Sequence, residues 1–274
     1  MRVAQALHWA RQAGVARLDA QVLLARRLKQ SRAWLLAHDD ETLANEASEQ
    51  FAAEVLRRAR GEPLAYIVGE REFHGLSFVV TPDVLVPRPE TELLVDWALE
   101  LLGTPSMPAK PAVVDLGTGS GAIALSIKHD CARSAVMATD VDPQSLQVAR
   151  HNAQVLELDI EWHLGDWWAP LGERRFDLAV SNPPYIAGGD PHLAALSYEP
   201  TTALTPGGDG LGSLRCIIDG APLHLQPGAH LLLEHGHDQA PAVRAMFEAR
   251  GFVQIVTRED LAGLARCTGA AFPR

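Results

Sequence analysis

Three cysteines, at positions 131, 216 and 267, are all that the 274 residues contain. Their odd number and wide spacing point away from a disulfide framework and fit neutral thiols in a reducing cytoplasm. No run of about eighteen consecutive apolar residues occurs, so no membrane-spanning helix is expected. The opening stretch Met1-Arg2-Val3-Ala4-Gln5-Ala6-Leu7-His8 is broken by polar side chains, and no signal-peptide core is expected there. Basic charge is also scarce: Lys and Arg number 24 against 34 Asp and Glu, a net charge of −10. Residues 1–72 carry 11 basic and 10 acidic side chains, so the acidity lies in the remainder. A duplex-binding enzyme normally presents a basic face that releases counterions. The composition advertises none, which weighs against a nucleic-acid partner.

Apolar residues, by contrast, make up 47% of the chain, enough to fill the cores of one medium and one small domain. Residues 1–72 read as a helical bundle. Val3, Ala6, Leu7 and Ala10 recur at helical spacing, and Gly14 supplies a stop. Asp19 is the expected N-cap of a second helix carrying Val22, Leu23, Leu24 and Leu28. Leu43, Ala47, Phe51 and Val55 mark a third, ended by Gly61 and Pro63. Tyr66-Ile67-Val68-Gly69 and Leu76-Ser77-Phe78-Val79-Val80 read as short strands around Gly75, and residues 73–88 as a β-hairpin connector. Over residues 89–274 strand patterns alternate with helical ones. Strands are expected at 112–116, 135–139, 159–163, 176–181, 229–234, 252–256 and 266–271. The alternation implies an α/β fold: a mostly parallel, Rossmann-like sheet of seven strands with helices on both faces.

Asp115-Leu116-Gly117-Thr118-Gly119-Ser120-Gly121 closes the first of these strands and opens a helix. Glycines there permit a tight turn and close approach of a ligand to the helix N-terminus. Nineteen residues beyond Gly121, Asp140 ends the next strand, where a carboxylate can accept both hydroxyls of a ribose. Nicotinamide enzymes use a similar device. Here the spacing is Gly-x-Gly-x-Gly, and Asp115 stands two residues before the first glycine, where it can meet a ligand ammonium. Both features resemble the S-adenosyl-L-methionine site of Rossmann-like methyltransferases. Gly117, Thr118, Gly119, Ser120 and Gly121 then form the cradle. Asp166 is expected to bond the adenine amino group and Trp167 to stack on its ring. Trp168 reads equally well as core.

Strand 176–181 delivers Asn182-Pro183-Pro184-Tyr185 to the same rim, because ligands of doubly wound sheets bind outside the carboxyl ends of the strands. The Asn182 side-chain oxygen can accept one N–H of a planar –NH2 group. The Pro183 carbonyl, not committed to a sheet ladder, can accept the other. Tyr185 can cover the flat face. All four residues are candidate substrate contacts. Asn182, Pro183 and Tyr185 are also candidate catalytic residues, and Asn182 a cofactor contact as well. A methyl donor facing such a grip resembles amino-directed methyltransferases, whose acceptors are adenine, cytosine or protein glutamine. Glu234-His235-Gly236-His237 lacks convincing third and fourth ligands, and no metal is expected.

Other segments choose among these acceptors. Gly61-Glu62-Pro63-Leu64-Ala65-Tyr66, Pro87-Arg88-Pro89-Glu90-Thr91-Glu92, Tyr198-Glu199-Pro200 and Leu231-Leu232-Leu233-Glu234-His235-Gly236 resemble segments of the peptide chain release factor glutamine methyltransferases, the HemK-like family. Arg17-Leu18-Asp19-Ala20 in the helical domain fits the same family, and the resemblance runs nearly end to end. It implies a cytoplasmic enzyme of translation termination. The methyl of S-adenosyl-L-methionine would pass to the glutamine amide nitrogen in the Gly-Gly-Gln motif of class I release factors, leaving S-adenosyl-L-homocysteine. It also implies that residues 1–72 dock that protein substrate, with Arg57, Arg58 and Arg60 as candidate contacts. The alternative is a nucleic-acid adenine-N6 methyltransferase, which needs a basic groove and a pocket for a flipped base.

Overall fold

The computed structural model describes residues 1–274 and divides into two compact units, Met1–Glu70 and Arg71–Arg274. The first is built from helices α1 (Val3–Gln12), α2 (Arg17–Leu28), α3 (Arg32–Ala37), α4 (Asn45–Ala59) and α5 (Leu64–Val68). Val3, Leu23, Leu24, Leu35, Phe51 and Val55 are buried together at its centre. Two details differ from the sequence expectation. Ala16, not Asp19, is the N-cap of α2. Asp19 lies in the first turn, where its carboxylate accepts from Arg58 Nε at 2.7 Å. The carboxylate still sits at the positive end of the helix dipole, so the ion pair to α4 forfeits little. Tyr66-Ile67-Val68, expected as a strand, form α5 instead. Gly69 at φ 84 closes that turn, its N–H bonding Ala65 O at 2.7 Å. Ala65 through Val68 are all buried, and a short buried apolar run looks the same in either conformation.

A hairpin of β1 (Glu70–Phe73) and β2 (Leu76–Val79) spans the division, and Phe73 and Phe78 enter the core of the second unit. That unit holds β3 (Ala112–Leu116), β4 (Ala135–Asp140), β5 (Glu161–Leu164), β6 (Phe176–Ser181), β7 (Leu225–Glu234), β8 (Val253–Glu259) and β9 (Ala265–Ala271). They form one sheet in the order β5-β4-β3-β6-β7-β9-β8. The first five pair in parallel, and β9 runs antiparallel between β7 and β8. The seven-stranded α/β expectation therefore holds. The helices are α6 (Glu92–Leu102), α7 (Ala122–Asp130), α8 (Pro143–Val155), α9 (Thr201–Leu204), α10 (Gly212–His224) and α11 (Ala240–Ala249).

Alternation along each strand produces two cores. Val113, Leu178, Val180 and Leu232 face one with α6 and α7. Val114, Ala179, Leu231 and Leu233 face the other with α10 and α11. Each fully buried Val or Leu contributes on the order of 1.5–3 kcal/mol, and a one-residue slip would exchange the two faces, so the register is strongly set. The strand order reverses between β3 and β6, the position where doubly wound sheets bind ligands. Ser181 Oγ donates to Leu116 O at 2.6 Å, tying these two strand ends together.

Candidate active site

The cleft at that reversal is lined by Gly117, Thr118, Gly119 and Ser120 after β3, Asp140 at the end of β4, and Asp166 and Trp167 after β5. Gly117 has φ +73, and a Cβ there would stand 2.9 Å from the Trp167 ring. Only glycine lets the indole lie this close to the loop. Gly119, at φ +56, has nothing within 4 Å of the position a Cβ would take, so the loop is hollow on its cleft side. Asp140 accepts the Gly119 N–H at 2.8 Å and the Asp142 N–H at 2.9 Å, one on each oxygen. A second lone pair on each oxygen remains for ligand hydroxyls. Burial raises the pKa of this carboxyl, against the pull of those backbone bonds.

Two cradle residues stand behind the cleft wall. Asp115 is fully buried and does not line the cleft. Its Oδ2 accepts the Thr118 hydroxyl at 2.6 Å, and its Oδ1 has no partner. Burial pushes this carboxyl up to about 7, opposed by the Thr118 bond. Asp115 thus holds the loop through Thr118, and its unpaired oxygen favours positive charge nearby. Gly121 caps α7, where a Cβ would meet Leu125 and Ala149. The two tryptophans also divide. Trp168 is core: its Nε1 donates to Ile217 O at 3.0 Å, and its ring stacks on His224 with centroids 5.0 Å apart.

The segment from β2 to α6 forms a further wall, reaching the cleft with Leu85, Pro87, Arg88 and Thr91. Its course is fixed by polar contacts. Asn152 in α8 accepts the Val79 N–H at 2.8 Å and donates to Val79 O at 3.0 Å and Ser120 O at 2.9 Å. One buried amide thereby joins the hairpin to the glycine loop. Ser145 Oγ donates to Asp83 O at 3.0 Å. Glu199, also buried, accepts the Val86 N–H at 3.1 Å and pairs with Arg88. These wall residues were not among the sequence candidates. The available signal was Pro87-Arg88-Pro89, a stiff charged segment without strand or helix period.

Asn182 borders two clefts at once. Pro184 faces the first, with the glycine loop. Pro183 and Tyr185 line the second, together with Glu90, Leu204, Glu234 and Arg266. Asn182 Nδ2 donates to Thr91 Oγ1 at 3.1 Å, which leaves Oδ1 for another donor. The Tyr185 hydroxyl donates to Glu234 Oε1 at 3.3 Å. Glu234 ends β7 and is buried, with Oε2 unpartnered. Burial pushes its carboxyl up to about 7, against hydrogen bonding from Thr91 and Tyr185. Burial, reinforced by the nearby Glu234 charge, likewise raises the Tyr185 phenol. Thr91 and Glu234 escaped the sequence reading as site residues. An acid closing the apolar run Leu231-Leu232-Leu233 on the ligand rim was the signal for the second. Its neighbour His235 is buried, with Nε2 on Thr268 Oγ1 at 2.7 Å.

In the first unit, Arg57 Nε donates to Glu62 Oε2 at 2.8 Å. Arg58 joins Asp19 to α4, and Arg60 is exposed at the helix end. Arg57 and Arg58 therefore already serve the unit's own structure.

Residues 4–69 match the family model of the PrmC N-terminal domain, and residues 93–211 that of the methyltransferase small domain. The chain is 49% identical over 262 residues to the release factor glutamine methyltransferase of Bordetella pertussis (strain Tohama I), covering 93% of this chain and 95% of that protein. It is 47% identical over 266 residues to the protein of the same name from Burkholderia pseudomallei (strain K96243), covering 93% and 92%. Among solved structures, the hMettl16 catalytic domain in complex with MAT2A 3'UTR hairpin 6 aligns with TM-score 0.59 at 18% identity, covering 81% of this chain and 82% of that one. A ribosomal protein L11 methylase from Lactobacillus delbrueckii subsp. bulgaricus aligns at 0.53 and 21%, covering 71% and 84%. At such identities the two structures speak to the fold alone.

Proposed function

The chain belongs to the release factor glutamine methyltransferase family, and from that premise we propose its reaction: the methyl group of S-adenosyl-L-methionine passes to the glutamine amide nitrogen in the Gly-Gly-Gln motif of class I peptide chain release factors. The observation that carries this reading is Asn182, held by Thr91 at 3.1 Å between a glycine-lined cleft and a second cleft. The hollow beside Gly119, the carboxylates of Asp140 and Asp166 and the Trp167 indole suit an adenosyl group. The carboxylates take ribose hydroxyls and the adenine amino group, and the indole covers the base. Bound there, S-adenosyl-L-methionine supplies a methyl carbon made electrophilic by its sulfonium.

An amide nitrogen is a weak nucleophile because its lone pair is delocalised into the carbonyl. Asn182 Oδ1 and the Pro183 carbonyl accept its two N–H bonds and favour the positive charge that gathers on it during attack. The nitrogen–carbon bond forms, the carbon–sulfur pair leaves with sulfur, and the cationic nitrogen then sheds a proton. Tyr185 holds the amide plane. Fixing the reacting groups in register supplies up to about 7–11 kcal/mol of the barrier reduction in favourable cases.

Residues 1–72 serve the docking of the protein substrate, for which the chemistry itself has no use. A protein substrate in translation and three free cysteines fit a cytoplasmic enzyme. No helix is long and apolar enough to cross a membrane. The adenine reading has less support, because the net charge of −10 offers no field for a polyanion. Incubation with methyl-labelled cofactor tests the choice. Label on the release factor, lost with Asn182→Ala, supports the proposal; label on DNA or RNA alone overturns it.

A further inference from the structure

Strand β9 runs antiparallel to β7, and its Cys267 pairs with Glu234, the residue that ends β7 on the ligand rim. The chain just before Cys267 therefore extends past the end of β7 on that rim. Arg266 is the first such residue, and it lines the second cleft with Asn182, Pro183 and Tyr185. Residues 260–264 then make the turn that joins β8 to β9. One hairpin thus carries a wall of the acceptor cleft on its stem and ends in a tip beyond it. The tip is held by its own hydrogen bonds. Asp260 Oδ1 accepts the Ala262 and Leu264 N–H groups at 2.9 and 3.0 Å, and its Oδ2 accepts from Arg266 Nε at 2.8 Å. The Asp260 N–H donates to Leu264 O at 2.8 Å, the Gly263 N–H donates to Asp260 O at 2.9 Å, and Gly263 turns the chain at φ +75.

At the apex of this turn the Leu261 side chain stands wholly in water, 110% exposed, and Leu264 is 39% exposed. An exposed leucine is ordinary by itself. This one is presented by a closed hydrogen-bond network, and the Asp260–Arg266 pair of that network reaches into the acceptor cleft. We propose that residues 260–264 form a docking element for the folded protein that brings the acceptor glutamine, with Leu261 entering an apolar recess on that protein. The proposal rests on the release-factor reading above. Its occupant follows from continuity: Arg266 belongs both to the cleft and to the turn, so a folded protein that delivers a side chain to Asn182 lies against the rim from which the tip projects. A turn already ordered loses little conformational freedom on contact, and taking a leucine side chain out of water is favourable.

The test compares full-length Leu261→Asp, Leu261→Met and Leu223→Asp. Leu223 is also a surface leucine, 68% exposed near the end of α10, just before β7 begins and away from the rim. Its variant controls for the added charge. Initial rates are measured against the concentration of a class I release factor, cofactor affinity by calorimetry, and folding by thermal melting. Leu261→Asp is expected to raise KM for the release factor about tenfold, with saturated kcat and cofactor Kd within about twofold and no fall in melting temperature. Leu261→Met and Leu223→Asp keep KM within about twofold. Photocrosslinking reads the contact without turnover: p-benzoylphenylalanine in place of Leu261 is expected to label the release factor, and in place of Leu223 to leave it unlabelled. A wild-type KM in Leu261→Asp overturns the proposal. So does an equal rise in Leu223→Asp, which would make the effect one of charge alone, or a crosslink from position 261 to a second copy of this chain and none to the release factor. A wild type that methylates no release factor counts against the function itself, whereas the crosslink and the ratio of variant to wild type read the docking element.

Discussion

Thr91 Oγ1 and Asn182 Nδ2 meet at 3.1 Å across 91 positions of sequence. The bond joins the end of the proline-rich connector to the first residue beyond β6. It orients a side chain that borders both clefts.

Asn182→Ala removes an acceptor aimed at the developing charge. Turnover is expected to fall about 100-fold or more, by analogy with the loss of one preorganised hydrogen-bonding group from an oxyanion hole. The glycine loop is untouched, so cofactor Kd should change little. Labelled methyl transfer and calorimetry measure the two quantities; near-normal turnover contradicts the role given to this residue.

Gly119→Ala places a methyl in the hollow of the loop, at φ +56. The left-handed backbone adds a penalty of about 1 kcal/mol. Cofactor affinity should fall further than that, because the methyl occupies ligand space while meeting no protein atom. Calorimetry alongside urea unfolding separates the two effects. Equal losses in both would mean that the hollow is not where the ligand lies.

Asn152→Ala strands the Val79 N–H, Val79 O and Ser120 O. Buried groups left without partners cost about 1–3 kcal/mol each before water or relaxation recovers part, so a total loss of about 2–4 kcal/mol is expected in urea unfolding. Cofactor binding should weaken too, since Ser120 belongs to the loop.

Glu234 predicts a pH signature. Its folded pKa is raised from 4.5 to about 7 by burial, so the folded state holds the proton more tightly than the unfolded one. That contribution is complete below about pH 4.5 and is lost as pH rises through about 7. Glutamine has nothing to lose. The melting temperature of Glu234→Gln relative to wild type should therefore be higher at pH 8 than at pH 5. Asp115, raised for the same reason, is present in both proteins and cancels. An equal difference at the two pH values would show that Glu234 ionises normally.

Strands β3, β4, β6 and the end of β7 were legible because each is a largely buried apolar run bounded by polar or glycine punctuation, and burial on both faces leaves that pattern few other uses. Asn182 and the glycine loop were legible for a related reason: both sit where a strand must stop. What escaped depended on distant partners. Asp19 carries the signature of a cap, and only the fold brings Arg58 to it. Trp167 and Trp168 are neighbours of one type, and only the turn after β5 sends one to the cleft and the other to Ile217. Asp115 was expected at the ligand, but the loop buries it behind Thr118. Thr91 and Glu234 have meaning only together with Asn182 and Tyr185, a relation no local pattern records.

Peptide-mapping mass spectrometry of a class I release factor, after incubation with this protein and S-adenosyl-L-methionine, tests the central claim most directly. One added methyl is expected, on the glutamine of the Gly-Gly-Gln motif, absent when Asn182→Ala replaces the wild type. An unmodified glutamine, with methyl appearing instead on added DNA or RNA, would contradict it.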